Sequence, residues 1–310
     1  MARPLVVLGS LNMDLVIRAP RHPRPGETLI GSDFGTFPGG KGANQAVAIA
    51  RLGQEVTMIG CVGRDAFGDA LIATLRAAGV DTTGVTRSDA ATGVALITLS
   101  AAGENTIVIA PGANGTVTPE LVRSHEALLA GAAALLLQLE VPLPAVETAA
   151  ALAHAHGVPV ILNPAPAQPL PAPLMRQVDY LIPNQHEAAL LTGLPVTTPE
   201  EAVTAADRLR RAGVGVVVLT LGEQGALVLM EDAPVMVPSF PVAVVDTTAA
   251  GDAFVGAFAV ALSEGRTPVE AATWGCAAGA LACTVLGAQP SLPSREAVMA
   301  LLDTDRRRTA

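Results

Sequence analysis

Short runs of Val, Ile and Leu alternate with stretches whose apolar residues recur at helical spacing along most of the 310-residue chain. The runs predict core strands over 5–8, 55–60, 134–137, 159–162, 180–182 and 214–220, with hairpin-like segments at 226–230 and 235–237. The helical stretches fall at 43–52, 67–78, 143–155, 187–192, 200–212, 253–263 and 268–286. Such alternation is the mark of a mostly parallel sheet with helices on both faces, an α/β/α arrangement. Two stretches, 15–37 and 93–109, break the pattern. Both read as extended segments with turns and no helix between them, so they predict a small second sheet. Placed beyond the carboxyl ends of the core strands, that sheet would serve as a lid over a ligand crevice.

Composition narrows the class. Half of the residues are apolar and 15% are charged, as in a compact soluble enzyme, and at 3% aromatics the core must rely on Ala, Val and Leu. A net charge of −9 argues against a nucleic-acid partner. Arg306, Arg307 and Arg308 at the C-terminus read as a solvated tail. Cys61, Cys276 and Cys283 form no CxxC pair, which points to buried thiols in a reducing, cytoplasmic setting. The N-terminus carries too short an apolar run for a signal peptide. Residues 271–292 lack charge, but their Ala and Gly content predicts a closely packed core helix rather than a membrane span. Five histidines show no metal-ligand spacing.

Of the 19 basic residues, 18 are Arg and the remaining one is Lys41. It sits within Gly39-Gly40-Lys41-Gly42, where a compact ammonium would fit and a planar guanidinium would not. That segment nearly matches a phosphate-binding P-loop, yet Gly42 stands where a Ser or Thr should be and no core strand precedes it. Its glycines instead suggest a backbone in close approach to a ligand.

The segment 244–254 carries the strongest chemical signal. A β-branched strand is expected to end at Asp246, followed by the small residues Ala249, Ala250 and Gly251 and a helix beginning near Asp252. Backbone amides at a helix N-terminus make an anion site, and a carboxylate beside it could accept a proton from an attacking hydroxyl. Helix capping is the plain alternative for Asp252. Asn12 and Asp14 follow the first strand in what reads as a loop, where ligands of open α/β sheets bind. Gln138-Leu139-Glu140 and Asn184-Gln185-His186-Glu187 are polar ends to apolar strands.

Together, Asn12-Met13-Asp14, Gly39 to Ala46, Asn163-Pro164-Ala165-Pro166-Ala167, Asn184 to Glu187, Thr220-Leu221-Gly222, Asp246 to Asp252 and Gly287-Ala288-Gln289-Pro290-Ser291 resemble the ribokinases, of the PfkB-type carbohydrate kinase family. The motifs occur in family order and span nearly the whole chain. The resemblance implies one ribokinase-like kinase domain over 1–310, with the β-lid at 15–37 and 93–109. It implies ATP-dependent phosphorylation of D-ribose at O5, feeding ribose catabolism. Fructose, 2-keto-3-deoxygluconate and nucleosides are the substrates of the nearest rival kinases. A catalytically silent binding protein is the rival outside that class, and intact Asp252, Gly251 and Lys41 argue against it.

The same resemblance assigns roles. Asp252 would be the general base, with Ala249, Ala250 and Gly251 as the anion hole. Asn12, Asp14, Gly40, Lys41, Asn44 and Glu140 would line the sugar pocket together with Asp252. Asn184, Thr220, Gly222, Gly225, Gly251 and Cys276 would border the nucleotide. Cys276 and Thr248 depart from the residues usual at their positions. Glu187 would act indirectly on Mg²⁺. Asp246, Thr248, Ala282, Val285, Gly287 and Ser291 would surround K⁺, several of them through backbone carbonyls. A homodimer joined through the lid is also implied.

Overall fold

Side chains of a strand point alternately to its two faces, and in Leu5–Leu8 all four are fully buried. Leu5 and Val7 enter one apolar cluster and Val6 and Leu8 another, so helices must cover both faces of this strand. The computed structural model describes residues 3–231 and 233–309, with the side chains of 305–309, including Arg306 to Arg308, outside the described set. In chain order the strands are β1 (Leu5–Leu8), β2 (Asn12–Ala19), β3 (Ser32–Gly39), β4 (Val56–Gly63), β5 (Asp81–Ser88), β6 (Gly93–Ser100) and β7 (Asn105–Ala110). There follow β8 (Ala134–Leu137), β9 (Val160–Leu162), β10 (Tyr180–Leu181), β11 (Val216–Thr220), β12 (Ala226–Leu229) and β13 (Pro234–Val237).

Nine strands form the main sheet in the order β13-β12-β11-β10-β9-β8-β1-β4-β5. All neighbours pair in parallel except at the β11-β12-β13 end, which is antiparallel. One face is covered by the helices Lys41–Arg51, Ala250–Ser263 and Pro268–Ala282, with Phe258 fully buried among them. The other is covered by Leu143–Ala155 and Pro199–Arg211. A second sheet of four strands, β3-β2-β6-β7, is the expected lid.

Several elements differ from expectation. The lid strand β2 starts at Asn12, so Asn12 and Asp14 lie on a strand rather than in a loop. Residues 242–246 pair with no strand; Val244 and Val245 are exposed, and the amides of Val245 and Asp246 both donate to the Cys283 carbonyl. That carbonyl lies just past the last turn of Pro268–Ala282, so the helix stops short of 286 and Leu286 is exposed. Edge strand β5 is not predicted, because its Asp, Thr and Gly residues carry no apolar run. The helices Pro119–Ser124, Glu126–Gly131 and Arg295–Thr309 are likewise additional to those expected. Lys41–Arg51 begins two residues early, behind Gly40 at φ 93°.

Candidate active site

Ala249 holds the left-handed conformation, φ 59°, unusual for a residue with a side chain, and from it the helix Ala250–Ser263 sets off. The Ala250 amide closes a turn onto Thr247 O at 3.2 Å. Among the described residues, the amides of Ala249, Gly251 and Asp252 donate to no protein acceptor. Free amides at the positive end of a helix dipole attract an anion. Asp252, in the first turn of this helix, is 6% exposed. Its Oδ2 accepts from Asn44 Nδ2 at 2.9 Å and its Oδ1 from Gln45 Nε2 at 3.1 Å. Burial pushes its pKa up, against the lowering effect of Lys41, Asn44 and Gln45. Asp252 therefore combines raised basicity with a fixed orientation, the two properties required of a general base. A simple helix cap would instead turn its carboxylate toward the backbone amides, and no such cap bond is present.

The glycines of the 39–42 segment are explained by the chain's own packing. A Cβ on Gly42 would meet the Gly9 backbone at 2.7 Å, and one on Gly40 would meet Asn12 N at 2.8 Å. That close approach seats Lys41–Arg51 against the loop following β1. Here Glu140 Oε2 accepts from Ser10 Oγ (2.5 Å), the Lys41 amide (3.1 Å) and Asn12 Nδ2 (3.4 Å). Buried Asn114 donates to Asn12 Oδ1 at 2.7 Å and also pairs with the Leu11 backbone, which fixes the Asn12 amide. Asp14 lies next in line on β2, between Phe37 and Ala95. Burial first, then Glu140 and Asp252, raises its carboxyl to about 7. For Lys41, burial disfavours the charge, but Asp252, Glu140 and Glu187 outweigh it and its pKa is raised.

On the opposite side, Asn184 caps the helix Gln185–Thr192 in a reciprocal capping box with Glu187. Glu187 is 8% exposed, and both its oxygens accept from Asn184, at 2.8 and 2.9 Å. Burial raises the Glu187 pKa, partly offset by the Asn184 amide and Lys41. Beyond the anion-site turn, Asp246 Oδ1 accepts from the Thr248 amide (3.0 Å) and hydroxyl (2.7 Å), and Oδ2 from the Gly287 amide (2.8 Å). Partial burial opposes its charge, but the Thr248 hydroxyl and the amides of Gly287, Thr248 and Thr247 hold its pKa below the ordinary value. One carboxylate thus ties the loop carrying the free amides to the turn after Pro268–Ala282.

A cavity of about 210 Å³ is lined by Lys41, Asn184, Glu187, Thr220, Ala249, Gly251 and Asp252, with Asn163, Ala165, Ile182, Thr247 and Val255 beside them. Asn44 joins it through Asp252, while Asp14 and Glu140 couple to it by charge. Gly222, Gly225 and Cys276 are not among its lining. Cys276 is buried in the core, its thiol pushed up to about 12 by that burial. Gly225 is required by packing, because a Cβ there would collide with Val237 O. Ala282, Val285, Gly287 and Ser291 also lie away from the cavity. Val285 is exposed, and the Ser291 hydroxyl donates to Ala288 O at 2.7 Å.

Residues 2–295 match the model of the pfkB family carbohydrate kinases. The chain belongs to that family. It is 44% identical to the ribokinase of Haemophilus influenzae over 304 residues, covering 98% of this chain and 99% of the other. It is 42% identical to the ribokinase of Bacillus subtilis, at 97% and 99% coverage. Its fold superimposes on the Arabidopsis thaliana ribokinase solved with ribose and ATP at a TM-score of 0.92. That pair is 37% identical, with 97% of this chain and 99% of the other covered. In a pfkB kinase an anion site above a buried carboxylate is the expected equipment for phosphoryl transfer, which is chiefly positioning and charge neutralisation.

Three polar residues of this pfkB site, Ser10, Gln45 and Asn114, are not among the candidates the sequence offers, and Gln138 is offered only as the polar end of a strand. All are essentially buried. The available signals were modest: Gln138 follows a wholly apolar strand, and Gln45 is a polar member of the buried run Gly42–Ile49 of its helix.

Proposed function

We propose that this chain transfers the γ-phosphoryl group of ATP to the 5-hydroxyl of D-ribose, giving D-ribose 5-phosphate and ADP. The carrying observation is Asp252: buried, fixed through both oxygens, in the first turn of a helix with free N-terminal amides and lining the same cavity as Ala249 and Gly251. The sugar would sit between β2 and the 40–44 segment, its hydroxyls meeting Asn12, Asp14, Lys41, Asn44 and Glu140. Asp252 takes the proton of the attacking hydroxyl as its oxygen bonds to phosphorus, while Ala249 and Gly251 receive the phosphoryl oxygens. Asn184, Thr220, Gly222 and Gly225 would border the nucleotide. Full-length likeness to ribokinases supports the choice of ribose.

Two cations fit the residues present. Mg²⁺ arriving with ATP would meet Glu187 through water, with the Glu187 carboxylate held in place by its two bonds from Asn184. Among the described residues no cluster of three His, Cys, Asp or Glu could hold a metal by itself. K⁺ would take oxygen donors from Asp246 and the carbonyls near Thr248, Ala282, Val285, Gly287 and Ser291. A bound ion there supplies charge that fixes the loop bearing the free amides.

We also read the protein as a cytoplasmic homodimer joined through its lid. Phe34, Leu96, Ile107 and Val108 are all more than half exposed, more apolar surface than a free lid sheet should carry. No helix of the described residues is long and apolar enough to cross a membrane. An ADP-release assay over D-ribose, D-fructose, 2-keto-3-deoxygluconate and adenosine tests the activity. D-ribose should give the highest kcat/KM, and preference for another acceptor would overturn the assignment.

A further inference from the structure

Behind Asp252 lies a line of neutral amides. Gln45 Nε2 donates to Asp252 Oδ1, and Gln45 Oε1 in turn accepts from Gln138 Nε2 at 2.6 Å. Both glutamines are fully buried, so neither reaches solvent or the cavity wall. Gln138 leads out of β8 toward Glu140, while Gln45 sits on the helix that begins at Lys41. Gln138 Oε1 fills the space beside Gly9 that any Cβ would occupy, 2.0 Å from the ideal position. Gly9 is therefore needed to seat the amide line, as well as for the approach of Gly42.

We propose that Gln45 and Gln138 form a positioning relay that fixes the Asp252 carboxylate and joins it to the sugar-binding segment at Glu140. The proposal rests on Asp252 being the base. A freely rotating carboxylate would spend much of its time with neither oxygen aimed at the hydroxyl. Gln45 removes that freedom, and the short bond from Gln138 (2.6 Å), with a longer one from Gln45 Nε2 to Asn163 Oδ1 (3.4 Å), keeps Gln45 from turning its own amide. A neutral donor orients the base without the large loss of basicity that a cation would impose. Asn44 holds the second oxygen, but in the proposed function Asn44 also meets the sugar, so its bond would change with substrate. Only the Gln45 bond is independent of substrate.

Steady-state kinetics on Gln45→Met, Gln138→Met and the double variant test this, with Asp252→Asn as reference. Methionine nearly conserves volume, and thermal melts confirm folding. Gln45→Met should lower kcat about 10-fold with the KM for ATP unchanged, as lost preorganisation does. Its acid limb should move to higher pH, because Asp252 loses a donor while still facing Lys41, Glu140, Asp14 and Glu187. Gln138→Met should lower kcat about 3-fold, and the double variant should match Gln45→Met, since a relay acts through one link. Should Gln45→Met not fold, Gln45→Glu keeps shape and the bond from Gln138 while withdrawing the donor, and moves the limb the same way. A wild-type acid limb and kcat in the Gln45 variant overturn the relay, as do losses that multiply in the double variant. Near-normal turnover in Asp252→Asn would instead remove the base itself.

Discussion

In the nine-stranded sheet Val6, Leu8, Leu135 and Leu137 are fully buried, whereas in the four-stranded sheet every residue of Asn105–Ala110 is exposed. The sequences are not very different, for Ile107, Val108 and Ile109 would suit a core strand. Helices on both faces make the difference. The large sheet is stabilised by its own burial, while the small one leaves apolar surface to be covered from outside the chain's own core. β2 passes from the first environment into the second. It starts with buried Asn12 and Met13 and ends with exposed Ile17 and Arg18. The candidate sugar ligands Asn12 and Asp14 stand at that transition, where a rigid scaffold meets a sheet held less tightly.

The contrast is sharpest in stability. Phe258, fully buried against Tyr180 and Phe254, should cost about 3–5 kcal/mol when truncated to Ala. Val108→Ala in the lid should cost less than about 0.5 kcal/mol. Denaturant unfolding of both variants would break the comparison if the two losses were similar.

At the junction the test is pH. Asp14 is raised from its ordinary 3.8 to about 7 in the folded protein, so the folded state binds the extra proton between those values. Stability contributed by that proton is present at low pH and lost as pH rises through about 7. Asp14→Asn should therefore stabilise the protein by roughly 1–3 kcal/mol at pH 8 and leave it unchanged near pH 4. Parallel pH–stability curves for the two proteins would contradict this. Ribose binding should move oppositely and strengthen above about pH 7, where the ionised carboxylate is the better hydroxyl acceptor.

For the lid itself, Val108→Glu should halve the mass in light scattering, from twice 31.3 kDa to 31.3 kDa, with no loss of melting temperature in the core transition. A wild-type protein already at 31.3 kDa would remove the dimer. The smallest expected effect is ionic. Exchanging Na⁺ for K⁺ at constant ionic strength should raise kcat, and indifference would remove the K⁺ reading of Asp246.

The main-sheet strands were legible because parallel core strands are apolar on both faces, and Leu5–Leu8 and Ala134–Leu137 lie where their runs place them. β5 was not legible, since an edge strand of Asp, Thr and Gly buries little. The stretch 242–246 misled for the opposite reason, its valines being β-branched but exposed. The candidate residues that belong to a sequence motif, such as Lys41 and Asp252, were legible, and both line the cavity. Ser10, Gln45, Asn114 and Gln138 act through hydrogen bonds to residues distant in the chain, and no local pattern records such partners.

The central claim is that Asp252 deprotonates the acceptor hydroxyl, and the direct test is turnover of Asp252→Asn at saturating ATP and D-ribose. Asn keeps the size of the side chain but cannot take a proton. The account expects a folded protein that still binds ATP, with kcat lowered at least about 100-fold. A folded Asp252→Asn with kcat near that of the wild type would contradict it.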